Sequence, residues 1–103
     1  MKIVLSRSGV PIRLTPERMA HIGRRHPEMA GQEEKILETV TEPDLIQEGD
    51  AETKIGLKHY PKSPLTEKFC AVVYREVSER EGFVVTAYFC SRYAGKRRIL
   101  WKR

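Results

Sequence analysis

Hydrophobic and polar residues alternate along three segments of the chain, residues 53–59, 69–77 and 83–90, which is the pattern of β-strands. The alternation is strongest at residues 69–77 and 83–90, which are rich in β-forming residues and joined by the short connection 78–82, so they predict a long hairpin. Five further strands are predicted at residues 2–6, 10–14, 45–47, 53–59 and 98–102. Together with two helices, this pattern predicts an α+β domain with its helices packed on one antiparallel sheet.

The two helices are predicted from their boundary residues. Thr15 can cap a helix, and Pro16 suits the first helical position. The first helix should run to about His26, because Pro27 disfavours helical geometry at the residue before it. A second helix is predicted at residues 32–41, where apolar residues recur at helical spacing.

The long hairpin has two faces with different side chains. The apolar face, which should meet the helices, carries Phe69, Ala71, Val73, Val77, Phe83, Val85, Ala87 and Phe89. The other face is a polar-aromatic platform, suited to a substrate or a partner, and carries Cys70, Val72, Tyr74, Glu76, Val84, Thr86, Tyr88 and Cys90. The predicted register pairs Val77 with Phe83. It places Cys70 opposite Cys90, and both thiols should be reduced in a cytosolic protein.

Length and composition limit the class of protein. A chain of 103 residues is expected to form one domain, here residues 1–103 with a basic C-terminal stretch at 92–103. Its content of 40% hydrophobic and 32% charged residues is typical of a folded rather than a disordered chain. No apolar run approaches the roughly 20 residues of a membrane span, and the N-terminal apolar run is too short for a signal peptide. We therefore expect a cytoplasmic protein without a membrane partner.

The net charge of +5 is distributed unevenly, with two basic ends around an acidic middle. The stretch 92–103 is the most basic, and Tyr93 and Trp101 lie among its cationic residues. Such interleaving suits phosphate neutralisation with base stacking, and a solvated surface is the alternative interpretation. The candidate RNA contacts in this stretch are Arg92, Lys96, Arg97 and Arg98. Further candidates are Arg24 on the first predicted helix, Lys54 and Lys58, which share a strand face, and Tyr74 on the platform.

The first predicted helix carries the candidate chemistry. At 100° per residue, His21, Arg24 and Arg25 share one face, and His26 leans toward the core side. An imidazole can move a proton near neutral pH while guanidinium groups stabilise charge on a phosphate, as phosphodiester cleavage requires. A solvated surface histidine, or a structural His26 at the helix C-terminus, is the alternative interpretation. No metal site and no cofactor site are expected from the spacing of Cys, His, Asp and Glu residues.

Five short runs, spread over about residues 12–92, form a pattern that is found in a known family. They are Leu14-Thr15-Pro16-Glu17-Arg18, His21-Ile22, Arg25-His26-Pro27-Glu28, Glu42-Pro43-Asp44-Leu45-Ile46 and Val84-Val85-Thr86-Ala87-Tyr88. The pattern resembles the phage-associated nuclease domains that are grouped with barnase, EndoU, colicin ribonucleases and RelE toxins. The resemblance implies two N-terminal helices packed on a four- to five-stranded antiparallel sheet, and metal-independent cleavage of RNA.

The resemblance also implies roles for individual residues. The ribose 2′-OH would attack the adjacent phosphorus and leave a 2′,3′-cyclic phosphate, with His21 or His26 as acid and base and Arg25 as the phosphate clamp. Thr86 and Tyr88 would be partners on the sheet side. The proton donor to the leaving oxygen is unassigned, because the late strands carry no second histidine or glutamate for it. His26 and Tyr74 are the two candidates.

Two functions follow from the sequence. The first is a small ribonuclease of toxin or mobile-element type, with tRNA or mRNA as substrate and an antitoxin or immunity protein as a partner. The second is a non-catalytic domain on the same fold that binds RNA or a protein partner. The sequence does not decide between a monomer and a small homo-oligomer.

Overall fold

A computed structural model describes residues 1–61 and 69–103 of the chain. Each of the seven segments predicted as a strand forms one, and both predicted helices are present. The strands are β1 (Lys2–Leu5), β2 (Pro11–Leu14), β3 (Leu45–Glu48), β4 (Lys54–His59), β5 (Phe69–Ser78), β6 (Glu81–Cys90) and β7 (Ile99–Lys102). The helices are α1 (Pro16–Arg25) and α2 (Glu33–Thr41), with one 3₁₀ turn, Pro27–Met29, between them.

The described strands form a single sheet in the order β1-β2-β6-β5-β4-β3-β7. Strands β2 and β6 are parallel, and the other neighbouring pairs are antiparallel. The expectation of a four- to five-stranded antiparallel sheet is therefore wrong, because the sheet is seven-stranded and mixed, although the domain is still α+β. The extra strands lie at both edges: the β1–β2 hairpin joins β6 on one side, and β7 pairs with β3 on the other.

Helix α1 begins and ends where its boundary residues predict. Thr15 caps it, since Thr15 Oγ1 accepts a hydrogen bond of 3.1 Å from the backbone N–H of Arg18. Pro16 occupies the first turn, and His26 follows the helix, directly before Pro27. The helix buries Ile22 completely against the sheet, so its opposite side carries the polar residues.

The predicted faces of β5 are interchanged in the structure, whereas Ala87 and Phe89 of β6 lie on the helix side, as predicted. Tyr74 is only 1% exposed and packs with Cys70 and Val72 in the core beneath the helices, so this face is not an exposed platform. The predicted register is also wrong, because Phe83 pairs with Arg75, and a bulge follows Val73. Both faces are largely apolar, so alternation separates them without identifying the one that the helices cover.

The face opposite the helices is covered by the chain itself. Residues 91–98, which connect β6 to β7, cross this face as a covering segment. The Tyr93 ring lies edge-on to Phe69 with centroids 5.6 Å apart, and the 2% exposed Gln47 donates from Nε2 to the Ala94 carbonyl at 2.7 Å. Cys90 packs on this face. Cys70 belongs to the helix side, so the predicted pairing of the two cysteines across the strands is wrong.

Two carboxylates connect separate parts of the sheet. The side chain of Glu76, 12% exposed, accepts hydrogen bonds from the hydroxyl of Ser6 and the ammonium of Lys54. Asp44 Oδ2 accepts a bond of 2.7 Å from the His59 backbone N–H, and its Oδ1 lies 3.3 Å from the Arg103 guanidinium. Burial alone would raise the pKa of Asp44, but these two donors and a nearby lysine outweigh it and lower the pKa.

Neither helix in the described ranges is long and apolar enough to cross a membrane.

Candidate active site

The candidate site lies along the outer edge of β6. Strand β2 pairs with β6 through Ile12–Gly82 and Arg13–Phe83, and the chain then turns into α1. Helix α1 therefore lies beside β6 where β2 has ended. The guanidinium of Arg18 donates to the carbonyl oxygen of Val85 at 3.3 Å, so a side chain of the helix contacts the edge of the strand. A cleft remains between the two elements.

The cleft has a volume of about 250 Å³. It is lined by Arg18, His21, Arg25, His26, Val85 and Thr86. Two imidazoles, two guanidiniums and a hydroxyl thus surround one small space. The structure brings together four of the five residues predicted as catalytic, namely His21, Arg25, His26 and Thr86.

The fifth predicted residue, Tyr88, lies beside the cleft. Its ring centroid is 5.6 Å from that of His26. Burial raises the pKa of the Tyr88 phenol, so the hydroxyl remains protonated at neutral pH and can donate a hydrogen bond rather than act as a base. On the other side of His26, its Nδ1 is 3.8 Å from Oε2 of Glu28. This separation is longer than a hydrogen bond, so the two side chains are neighbours without a direct hydrogen bond.

Arg18 and the apolar Val85 are the two cleft residues absent from the predicted site, and Arg18 is the charged one. Positions 18, 21 and 25 follow the i, i+3, i+7 spacing of one helical face, so the signal was present in the sequence. Arg24 was predicted with this face, but it lies 100° from Arg25 around the helix and does not line the cleft. Its side chain is exposed to solvent.

Other predicted residues lie away from the cleft. Tyr74 is in the core, and burial raises its pKa, so it is not placed to contact RNA or to donate a proton to the leaving oxygen. Lys54 is paired with Glu76, and Lys58 Nζ donates to the Glu42 carbonyl at 3.0 Å. Both lysines therefore have intramolecular partners.

The basic residues of the covering segment, 91–98, differ in their surroundings. Arg92, Lys96 and Arg98 are exposed. Arg97 makes a two-pronged contact with the Asp50 carboxylate, at 3.1 and 3.3 Å. The first group remains accessible to a polyanion, while Arg97 holds the segment to the turn after β3.

A second cavity, of about 480 Å³, lies between the covering segment and the sheet. Its polar and aromatic lining residues are Gln47, Tyr88, Arg92, Tyr93 and Arg97. Tyr88 is therefore beside the candidate cleft and in the wall of this second cavity. The two spaces are neighbours along β6.

A third groove, of about 520 Å³, lies between the N-terminus and α1. Its two charged side chains, Lys2 and Glu33, form an ion pair with each other at 2.9 Å. The remaining side chains of its lining are apolar. We therefore assign the candidate chemistry to the smaller cleft, where histidines and arginines converge.

No three His, Cys, Asp or Glu side chains within residues 1–61 and 69–103 are grouped so that they could hold a metal ion. Comparison of the chain with protein-family models, with curated proteins and with solved structures finds no match in any of the three.

Proposed function

We propose that this protein is a small ribonuclease of toxin or mobile-element type, which cleaves tRNA or mRNA by attack of the ribose 2′-OH without a metal ion. The observation that supports this proposal is the cleft in which His21, His26, Arg18 and Arg25 converge. The resemblance of the sequence to nuclease domains implies the same class of reaction. The cytoplasm is its proposed location, and an antitoxin or immunity protein is its proposed regulator.

The reaction needs two proton transfers, and the cleft offers two imidazoles for them. One imidazole accepts the proton of the 2′-OH as this oxygen forms a bond to phosphorus. The bond from phosphorus to the 5′-oxygen breaks, and the second imidazole, in its protonated form, gives a proton to that oxygen. The products are a 2′,3′-cyclic phosphate and a 5′-hydroxyl. We leave open which of His21 and His26 is the acid, since both line the same space.

The arginines stabilise the charge that accumulates on the phosphate oxygens. The guanidinium of Arg18 is oriented by its hydrogen bond to the Val85 carbonyl oxygen. Arg25 lines the same cleft from the next turns of α1. Groups that are already oriented stabilise a transition state more effectively than flexible ones, because little reorganisation is needed during the reaction. The Thr86 hydroxyl is a further hydrogen-bond donor on the strand side.

The test is a cleavage assay on mixed tRNA and mRNA in EDTA. The wild type is compared with His21→Ala and His26→Ala, and His59→Ala is the matched control, because His59 lies at the end of β4 and packs on Phe69 with ring centroids 5.0 Å apart. We expect cyclic-phosphate ends from the wild type and from the control. Each cleft variant should lose cleavage by about 100-fold or more. Intact RNA with the wild type, or equal losses in all three variants, would refute the proposal.

The second candidate is a non-catalytic domain that binds RNA or a protein partner. The exposed cations Arg92, Lys96 and Arg98 favour it, because they could bind a polyanion without help from the histidines. In the same assay, RNA binding that weakens with salt and is unchanged in the histidine variants, without any cleavage, would support this function instead.

A further inference from the structure

We propose that the second cavity, beneath the covering segment 91–98, binds one nucleobase of the RNA next to the phosphate that is cleaved. This inference rests on the proposed ribonuclease function and adds a base-specific subsite to it. The cavity volume of about 480 Å³ lies within the range of about 300–1,000 Å³ that is usual for small-molecule sites. It is therefore large enough for a single base.

The position of the cavity follows from β6. Thr86 lines the catalytic cleft, and Tyr88, two residues further along the same strand, lines the cavity. Residues two apart in a strand share a face and are separated by about 7 Å. This separation is comparable with the length of one nucleotide. A strand of RNA that places its phosphate between His21 and His26 can therefore extend its neighbouring base over Tyr88.

The lining has the chemistry that recognises single-stranded RNA. Tyr88 and Tyr93 offer aromatic rings, on which bases stack. Gln47 Nε2 donates one N–H to the Ala94 carbonyl, and its second N–H and its Oε1 are the groups that can pair with the edge of a base. Arg92, which is exposed at the rim, can contact the adjacent phosphate. Apolar side chains of β4, Ile55 and Leu57, form the floor.

The cavity is held in shape by contacts within the protein. Gln47 binds the Ala94 carbonyl at 2.7 Å, and Arg97 is paired with Asp50. The backbone N–H of Glu48 donates to the carbonyl of Arg98 at 2.8 Å. These bonds tie the covering segment to β3 and to the turn that follows it. A base therefore enters a preformed space, which reduces the entropic cost of binding.

The test measures binding of the four nucleoside 3′-monophosphates to the full chain by NMR titration, with ribose 5-phosphate as a probe that lacks a base. The variants are Tyr93→Leu, which removes one ring, and Gln47→Met, which removes the amide and keeps a similar volume. Tyr60→Leu is the matched control, because Tyr60 is also half-buried but lies outside the cavity, with its hydroxyl 2.7 Å from Glu38. Circular dichroism establishes that each variant is folded.

We expect at least one nucleotide to bind more tightly than ribose 5-phosphate and to shift the amide signals of Gln47 and Tyr93. Tyr93→Leu should weaken this binding by about tenfold or more, whereas the control should bind as the wild type does. Gln47→Met should reduce the preference among the four bases. Equal affinity for all five probes, or unchanged affinity in both folded cavity variants, would overturn the inference.

The outcome for the cavity is separable from that for catalysis. Suppose that the wild type leaves RNA intact but binds nucleotides in a base-dependent way, and that Tyr93→Leu loses this binding. This result would support the base site and refute the ribonuclease. Cleavage of RNA without any base-dependent binding would refute the base site and support the ribonuclease.

Discussion

The adjacent residues Arg24 and Arg25 allow the proposed chemistry to be separated from general attraction to RNA. Both are exposed arginines in the last turn of α1, but Arg25 lines the cleft and Arg24 does not. Replacing either by alanine removes one positive charge and introduces the best helix-forming residue. Each change also removes one favourable interaction with the C-terminal end of the helix dipole. The two variants should therefore have similar stability and similar net charge.

The expected effect on cleavage differs between them. A unit charge about 4 Å from a phosphate oxygen contributes about 4 kcal/mol near a protein surface, where the effective dielectric constant is about 20. Arg25 is exposed, so water screens part of this interaction, and we expect Arg25→Ala to slow single-turnover cleavage by about 10- to 100-fold. Arg24 projects about 100° away around the helix. Its loss should change the rate by less than about threefold, and only at low ionic strength.

The assay is single-turnover cleavage of one tRNA at low and at moderate salt, with RNA binding measured in parallel on a His26→Ala background that does not cleave. Arg24→Ala and Arg25→Ala should weaken binding similarly and differ in the rate of the chemical step. If both variants cleave at the same rate at moderate salt, Arg25 has no role beyond electrostatic attraction. The assignment of the cleft as the active site would then be wrong.

Three further predictions concern the stability of the fold and are measured by urea unfolding. Glu76→Gln should lower the free energy of unfolding by about 1–3 kcal/mol, because it leaves the Lys54 ammonium beside a neutral group; the exposed Glu79→Gln is the control, and an equal effect would contradict this reasoning. Thr15→Ala should cost about 1 kcal/mol through loss of the α1 cap, and Thr15→Ser should restore most of it. The pKa of Asp44 is lower in the folded protein than in the unfolded chain. Ionised Asp44 therefore stabilises the fold at pH values above its unfolded-state pKa, and this stabilisation is lost as pH falls through its folded-state pKa. Asp44→Asn should therefore be less stable than the wild type at pH 7 by about 1 kcal/mol, and this difference should disappear as pH falls through the lowered pKa of Asp44. A difference in stability that stays constant as pH falls would refute this role.

The positions of the helices and strands were predictable because local signals determine them. Thr15 and Pro16 specify the start of α1, and Pro27 specifies its end, whatever the rest of the chain does. The arrangement of the strands was not predictable in the same way. The resemblance implied four or five strands, whereas β1, β2 and β7 extend the sheet at both edges. Which strand lies next to which depends on contacts between distant residues, and the alternation within a strand carries no information about them.

The exchange of the two faces of β5 has a physical reason. A tyrosine in an alternating strand was interpreted as a surface residue, yet Tyr74 fills the core under the helices at 1% exposure. Large aromatic rings contribute much apolar area when buried, and the cost of one phenol hydroxyl is small beside it. The opposite face then needs a second cover, which residues 91–98 provide. A basic segment that was interpreted as a solvated tail or an RNA contact is thus also a structural layer, anchored by Gln47 and Arg97.

The cleft itself depends on one long-range pairing, between β2 and β6. A Cβ atom at Gly82 would lie 2.5 Å from the Arg75 carbonyl oxygen on β5 and 2.6 Å from Cδ1 of Ile12 on β2, so only glycine fits between the two neighbouring strands at this position. The parallel pairing ends at Arg13, and Thr15, two residues later, caps the start of α1. Helix α1, rather than a strand, therefore lies beside β6 at Val85. The start of α1 at this point therefore places the histidine face of the helix against the edge of β6. The cleft is the space that remains between the two.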